Sequence, residues 1–143
     1  MTENEFRIKH SSLIEYYQYI EMRLKAICAG CLADEEKDWF SRYEDYQSDP
    51  WGSLTIKIKD IQKRIQIDYL SSNDFLELDK MRRERNYWTH QCFGGEEPII
   101  FKKGELKNSK YAIRIENAFR DAIVWDEKLA DICKIVLVDR RNM

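Results

Sequence analysis

Arg85, Asn86 and His90 are the residues whose types and spacing best suit chemistry. A guanidinium presents a planar fork of donors that matches a phosphate. An imidazole exchanges protons near neutral pH. Asn86 and His90 are four residues apart and share one face of a helix, flanked by Arg83 and Tyr87. Arg85 precedes His90 by five residues, about 140° around an ideal α-helix. The two side chains therefore do not stack directly. They converge if Arg85 reaches sideways, if the helix loosens near His90, or if a second subunit completes the site. A cation beside a proton-exchanging ring suits work on a phosphate and needs no cofactor.

Arg85 also breaks a pattern. The stripe Phe75, Leu78, Met81, Trp88, Cys92 steps by three and four through position 85, where an apolar residue is expected. A guanidinium on a core-facing stripe is costly unless it is paired or hydrated. Conflicts of this kind between levels of structure mark functional sites. Cys28 and Cys31 form a second spacing of interest, a C-x-x-C suited to redox work or to half a metal site. Cys92 and Cys133 lack the paired spacing that zinc requires. The thiols of Cys28 and Cys31 fall within or beside an apolar stripe, where they pack as small hydrophobes. Packing is the preferred reading, and no metal site is expected.

The elements that must position these residues are helical. In residues 5–32, Leu13, Tyr17, Ile20, Leu24, Ile27 and Cys31 form one face of an amphipathic helix. Residues 33–50 are rich in acids and aromatics (Trp39, Phe40, Tyr43, Tyr46) and read as a short helix or ordered loop. The aromatic cluster reads as a satellite of the core, and Asp49-Pro50-Trp51-Gly52 is a break. Residues 53–69 alternate like a strand at first. Leu54, Ile58, Ile61, Ile65 and Tyr69 favour a helix, with Ser53 as its N-cap. Ser71 to Asp74 is a turn with capping residues, opening a third major helix over 74–92 that Gly94-Gly95 ends. Pro98 to Phe101 is a short extended excursion, and a basic stretch with Lys102, Lys103, Lys107 and Lys110 follows. The last helix, 110–139, carries Ile115, Ala118, Ala122, Trp125, Leu129, Ile132 and Val136 on one face. The expectation is an all-α, up-and-down bundle of four main helices with a short extra helix and a short extended piece near 98–102, forming a single domain over 1–143.

Arg85-Asn86-Tyr87-Trp88-Thr89-His90 resembles the Arg-x4-6-His motif of the HEPN domain family, in which a polar residue often follows the arginine, as Asn86 does here. The position, late in the third main helix of a four- or five-helix bundle, fits that family too. The resemblance implies a metal-independent endoribonuclease, of the toxin or phage-defence type, that uses no cofactor. His90 would be the general acid or base, Arg85 would neutralise charge on the phosphorane-like transition state, and Asn86 would orient His90 or the phosphate. It further implies a homodimer through the motif helices and an antitoxin or regulatory protein as partner. Some HEPN toxins carry a tyrosine two residues past the histidine, where an antitoxin nucleotidylates it. Here that residue is Cys92, so this modification site is absent.

The surrounding residues read two ways. Lys80, Arg82 and Arg83 suit RNA phosphates, and equally suit intrahelical pairs with Asp79 and Glu84. Tyr87 is the better base-stacking candidate, whereas Trp88 belongs to the core or to an interface. His10 reads as ordinary surface. The alternative function is a non-catalytic helical bundle that binds protein, RNA or a nucleotide. The chain has 143 residues, 43% hydrophobic and 35% charged, with a formal net charge of -2. That balance excludes disorder and the overall basic field of a non-specific nucleic-acid binder, so RNA contact requires a local patch. No apolar run is long enough to cross a membrane, and the polar N-terminal residues lack a signal-peptide apolar region. The expectation is a cytoplasmic protein.

Overall fold

The computed structural model describes residues 1–33 and 37–141. Five α-helices follow one another: α1 (Glu3–Leu32), α2 (Trp39–Tyr46), α3 (Trp51–Ile65), α4 (Ser72–Asn86) and α5 (Lys110–Arg141). A π-helical turn, Tyr87–Gln91, continues α4. Two short strands, β1 (Phe101–Lys102) and β2 (Glu105–Leu106), form an antiparallel hairpin. The chain is an all-α bundle, as its periodicities require. The stripes expected on α1 and α5 are buried throughout, from Leu13 to Cys31 and from Ile115 to Val136.

Contacts between the long helices fix their relative directions. Lys9 meets Glu116, Arg23 meets Asp126 and Gly30 meets Val136, so α1 and α5 run parallel. On α4, Asp74 meets Lys128 and Glu84 meets Arg114, so α4 runs against α5. The α1–α5 contact is close at Gly30, where an added Cβ would lie 2.7 Å from Val136 Cγ1. Only a glycine admits that crossing without repacking.

Local chemistry sets most boundaries. Thr2 caps α1 in a capping box with Glu5. Ser71 caps α4 in another with Asp74, as its sequence suggests. Gln62, buried at 4% exposure, clamps the α3–α4 link from both sides: its Nε2 donates to the Leu70 carbonyl at 3.0 Å and its Oε1 accepts from Leu70 N–H at 2.8 Å. In the hairpin, Lys103 and Gly104 both take positive φ, the geometry of a two-residue primed turn. The hairpin docks on the start of α1 through Glu3 N–H to the Gly104 carbonyl, at 2.8 Å.

Four sequence expectations shift. The N-cap of α3 is Pro50 rather than Ser53: Leu54 N–H reaches the Pro50 carbonyl at 3.0 Å, which places Ser53 inside the first turn. Tyr69 lies beyond α3, which stops at the left-handed Gln66, and its hydroxyl donates to Asp139. The third major helix starts earlier than expected and leaves α-geometry after Asn86. The aromatic cluster on α2 is a surface ledge, not a core satellite: Trp39 stacks on Tyr43, Phe40 is 75% exposed, and no residue of α2 is buried. Among the described residues no helix is long and apolar enough to cross a membrane.

Candidate active site

The first turns of α4 are anchored before the motif begins. Ser71 Oγ accepts from Asp74 N–H, Asp74 Oδ2 accepts from Ser71 N–H, and Asp74 Oδ1 accepts from Lys128 of α5 at 2.6 Å. Burial opposes the Asp74 charge, but Lys128 and Ser71 outweigh it and hold the carboxyl below its ordinary value. Leu78 and Met81 then seat the helix in the core.

Arg85 follows on the same stripe, and the structure shows how its charge is accommodated. Its Nη1 donates to Glu21 of α1 at 3.0 Å, its Nη2 donates to Asn86 Oδ1 at 3.2 Å, and its guanidinium carbon lies 5.3 Å from the Trp51 ring centroid. The side chain is 24% exposed. Arg85 and Asn86 are thus brought together directly. His90 is exposed, and among the described residues its side chain makes no hydrogen bond or ion pair. Neither Arg85 nor Asn86 is bonded to it.

The backbone between Arg85 and His90 is not α-helical. Cys92 N–H bonds to the Tyr87 carbonyl at 2.9 Å, an i to i+5 bond, and residues 87–91 form a π-turn. Single π-turns of this kind are rare and concentrate at functional sites. The register change deprives the Trp88 carbonyl of its α-helical donor. His10 of α1 fills the gap: its Nε2–H donates to Trp88 O at 2.7 Å, and the Cys92 thiol donates to the same oxygen at 3.3 Å. A carbonyl only accepts, so the His10 proton sits on Nε2. The expectation that His10 is ordinary surface is therefore corrected. It is half-buried, stacked on Phe6 and edge-on to Phe93 and Trp88. Trp88 itself is fully buried, and its Nε1 donates to Glu84.

The residues flanking the motif divide. Arg82 and Arg83 both pair with Asp79, whose carboxyl they hold below its ordinary value. Glu84 pairs with neither and holds Arg114 of α5 instead, at 2.6 Å. Arg83 is exposed and retains access to solvent, and Lys80 is exposed. Tyr87 is half-buried, with the Arg114 guanidinium 3.5 Å from its ring centroid, so one face of the expected stacking residue is already covered. Beside the π-turn, an open cleft of about 520 Å³ is lined by Tyr87, Gln91, Lys110, Tyr111 and Arg114. Of the basic stretch, Lys110 reaches this cleft and pairs with Glu97 at 3.1 Å.

Sequence reasoning missed Glu21, Arg114 and His10. Glu21 and Arg114 carry no local signal, because their partners lie on another helix. His10 offered only its position four residues after Phe6 and three before Leu13, at the edge of a buried stripe. The Cys28 and Cys31 thiols are buried. Loss of water pushes Cys28 up to about 12 and Cys31 up to about 11, which makes both poor nucleophiles. Among the described residues no group of three or more His, Cys, Asp or Glu side chains is placed to hold a metal ion. No family model, curated protein or solved structure compared with the chain matches it.

Proposed function

We propose that the chain is a metal-independent endoribonuclease of the HEPN type, acting as a toxin or in defence against phage. The observation that supports this reading is the π-turn over Tyr87–Gln91, which interrupts regular helical bonding where the motif lies, with a fixed guanidinium before it and an exposed imidazole within it. His90 removes the proton of a ribose 2′-hydroxyl, and that oxygen attacks the adjacent phosphorus. Arg85, with Asn86 holding its outer nitrogen, meets the charge that builds on the phosphoryl oxygens. The bond from phosphorus to the 5′-oxygen breaks, and that oxygen leaves with a proton from an acid. In a homodimer through the motif helices, the partner subunit's His90 supplies that proton. The products are a 2′,3′-cyclic phosphate and a 5′-hydroxyl. Arg83 and Lys80 hold flanking phosphates, Arg82 adds charge, and the cleft at Tyr87 and Arg114 seats the strand.

The test is cleavage of total RNA by the purified protein in excess EDTA, beside His90→Ala. The variant is expected to lose ~100- to 10,000-fold in rate, the weight of one general acid–base group, and wild-type products are expected to carry cyclic phosphate ends. Cleavage that persists unchanged in the variant would sink the assignment. A second reading has its own support: Glu21 already neutralises Arg85. That suits a non-catalytic bundle that binds RNA, a nucleotide or a protein partner. RNA retention without cleavage by either protein would select it.

A further inference from the structure

Glu21 of α1 stands between two cations. Its Oε2 accepts from Arg85 Nη1 at 3.0 Å, and its Oε1 lies 3.6 Å from Nζ of Lys25, one turn further along α1. Lys25 is mostly buried and is itself anchored, because its Nζ donates to the Gln47 carbonyl at 2.8 Å. On the far side of Arg85, Asn86 Oδ1 takes Nη2, and the guanidinium lies over the Trp51 ring. A guanidinium carries five N–H donors. Glu21 and Asn86 occupy two of them, and among the described residues the other three have no partner. The Arg85 and Glu21 side chains both keep part of their surface open to solvent.

We propose that Glu21 competes with an RNA phosphate for Arg85 and so acts as a charge gate on the phosphate site. The proposal rests on the reading of Arg85 as the residue that meets a phosphate. In the empty protein the carboxylate answers the guanidinium, so the site offers a strand little net charge. A phosphate oxygen seeks the same donors as the carboxylate, and two anions beside one guanidinium repel each other. Binding therefore requires Glu21 to yield part of Arg85. Lys25 makes that step feasible. A Glu21 carboxylate that loses Arg85 keeps an ammonium beside its other oxygen, and is not left as an unpaired, half-buried charge. Asn86 holds the second outer nitrogen, so the guanidinium keeps its place while one edge changes partner. Glu21 itself touches no RNA. It is a positioning residue that acts through Arg85.

The test is binding of a fluorescein-labelled single-stranded RNA of about ten nucleotides. The parent protein is His90→Ala, and EDTA is present, so that no cleavage intervenes. Glu21→Gln keeps an acceptor oxygen and the length of the side chain but removes the charge. It should bind the RNA about tenfold more tightly than the parent, the weight of one charge-assisted contact no longer contested. The gain should vanish in an Arg85→Ala background. That arm separates a contest for one side chain from the general field of one lost charge. Glu21→Asp keeps the charge but is one methylene shorter. It should tighten binding by a smaller factor, and it carries the test if Glu21→Gln lowers the urea midpoint. In the cleavage assay, Glu21→Gln should lower KM without raising kcat. Equal or weaker binding by Glu21→Gln, a gain that persists without Arg85, or no RNA binding by any of these proteins overturns the inference. Absence of cleavage by wild type overturns the ribonuclease reading instead, and the binding results still decide the role of Glu21.

Discussion

At its first turn, α4 is held by short-range chemistry. Ser71 and Asp74 satisfy each other three residues apart, and the one remote contribution is Lys128 of α5, 54 residues away, which donates to the Asp74 carboxylate. At its far end, the same helix is held by residues remote in the chain. Glu21 of α1 takes the Arg85 charge, Arg114 of α5 covers Tyr87, and His10 takes the carbonyl that the π-turn releases. The first end obeys rules of local sequence. The second departs from regular backbone geometry, and packing from α1 and α5 offsets the departure. Strained or irregular segments persist only where their surroundings over-determine them, and here two helices, α1 and α5, supply that constraint.

The sharpest way to break this contrast is Trp88→Ala. Trp88 is fully buried at the π-turn, and its loss should cost about 3–5 kcal/mol, read as a fall in the urea midpoint. His10→Phe is a finer probe. It keeps a ring against Phe6 and Phe93 but removes the donor to Trp88 O, with an expected cost of about 1–3 kcal/mol. Amide hydrogen exchange should quicken around Gln91 and Cys92 and remain unchanged at Leu78. Uniform quickening along α4 would show that its two ends are not independent.

The start of the helix should respond to pH instead. Asp74→Ala is expected to cost about 1–2 kcal/mol at neutral pH, with cap and ion pair lost together. The folded-state carboxyl lies below its ordinary value of 3.8. Its contribution is therefore complete above that value and is lost as pH falls through and below it. Urea midpoints for wild type and Asp74→Ala should converge on acidification. Ser71→Ala, the smallest change, should cost about 1 kcal/mol without altering the acid limb so strongly.

How much of this was legible follows from the range of each interaction. The faces of α1 and α5 were plain, because burial repeats at helical spacing over many turns. The capping residues of α4 were plain, because a capping box lies within four residues, although the helix opens two residues before the expected start. Arg85 was visible as a breach in a stripe, though its partner was not. The π-turn left no trace: Met81, Trp88 and Cys92 keep α-helical spacing across it, so the pattern conceals the inserted bond. Ser53 misled as a cap because a serine inside a first turn looks the same in sequence as one just before it. His10 passed as surface because a histidine says nothing of a carbonyl 78 residues away.

The parallel pairing of α1 with α5 has a consequence for the order of assembly. The face of α1 from Leu13 to Cys31 is covered mainly by the helix that follows every other element in the described chain. During synthesis that face must wait, exposed or shielded by a chaperone, until α5 clears the ribosome. Closing so long a loop adds an entropic delay that a hairpin of neighbouring helices avoids. A nascent chain arrested before residue 110 should therefore remain open to protease, and should resist it once α5 has emerged.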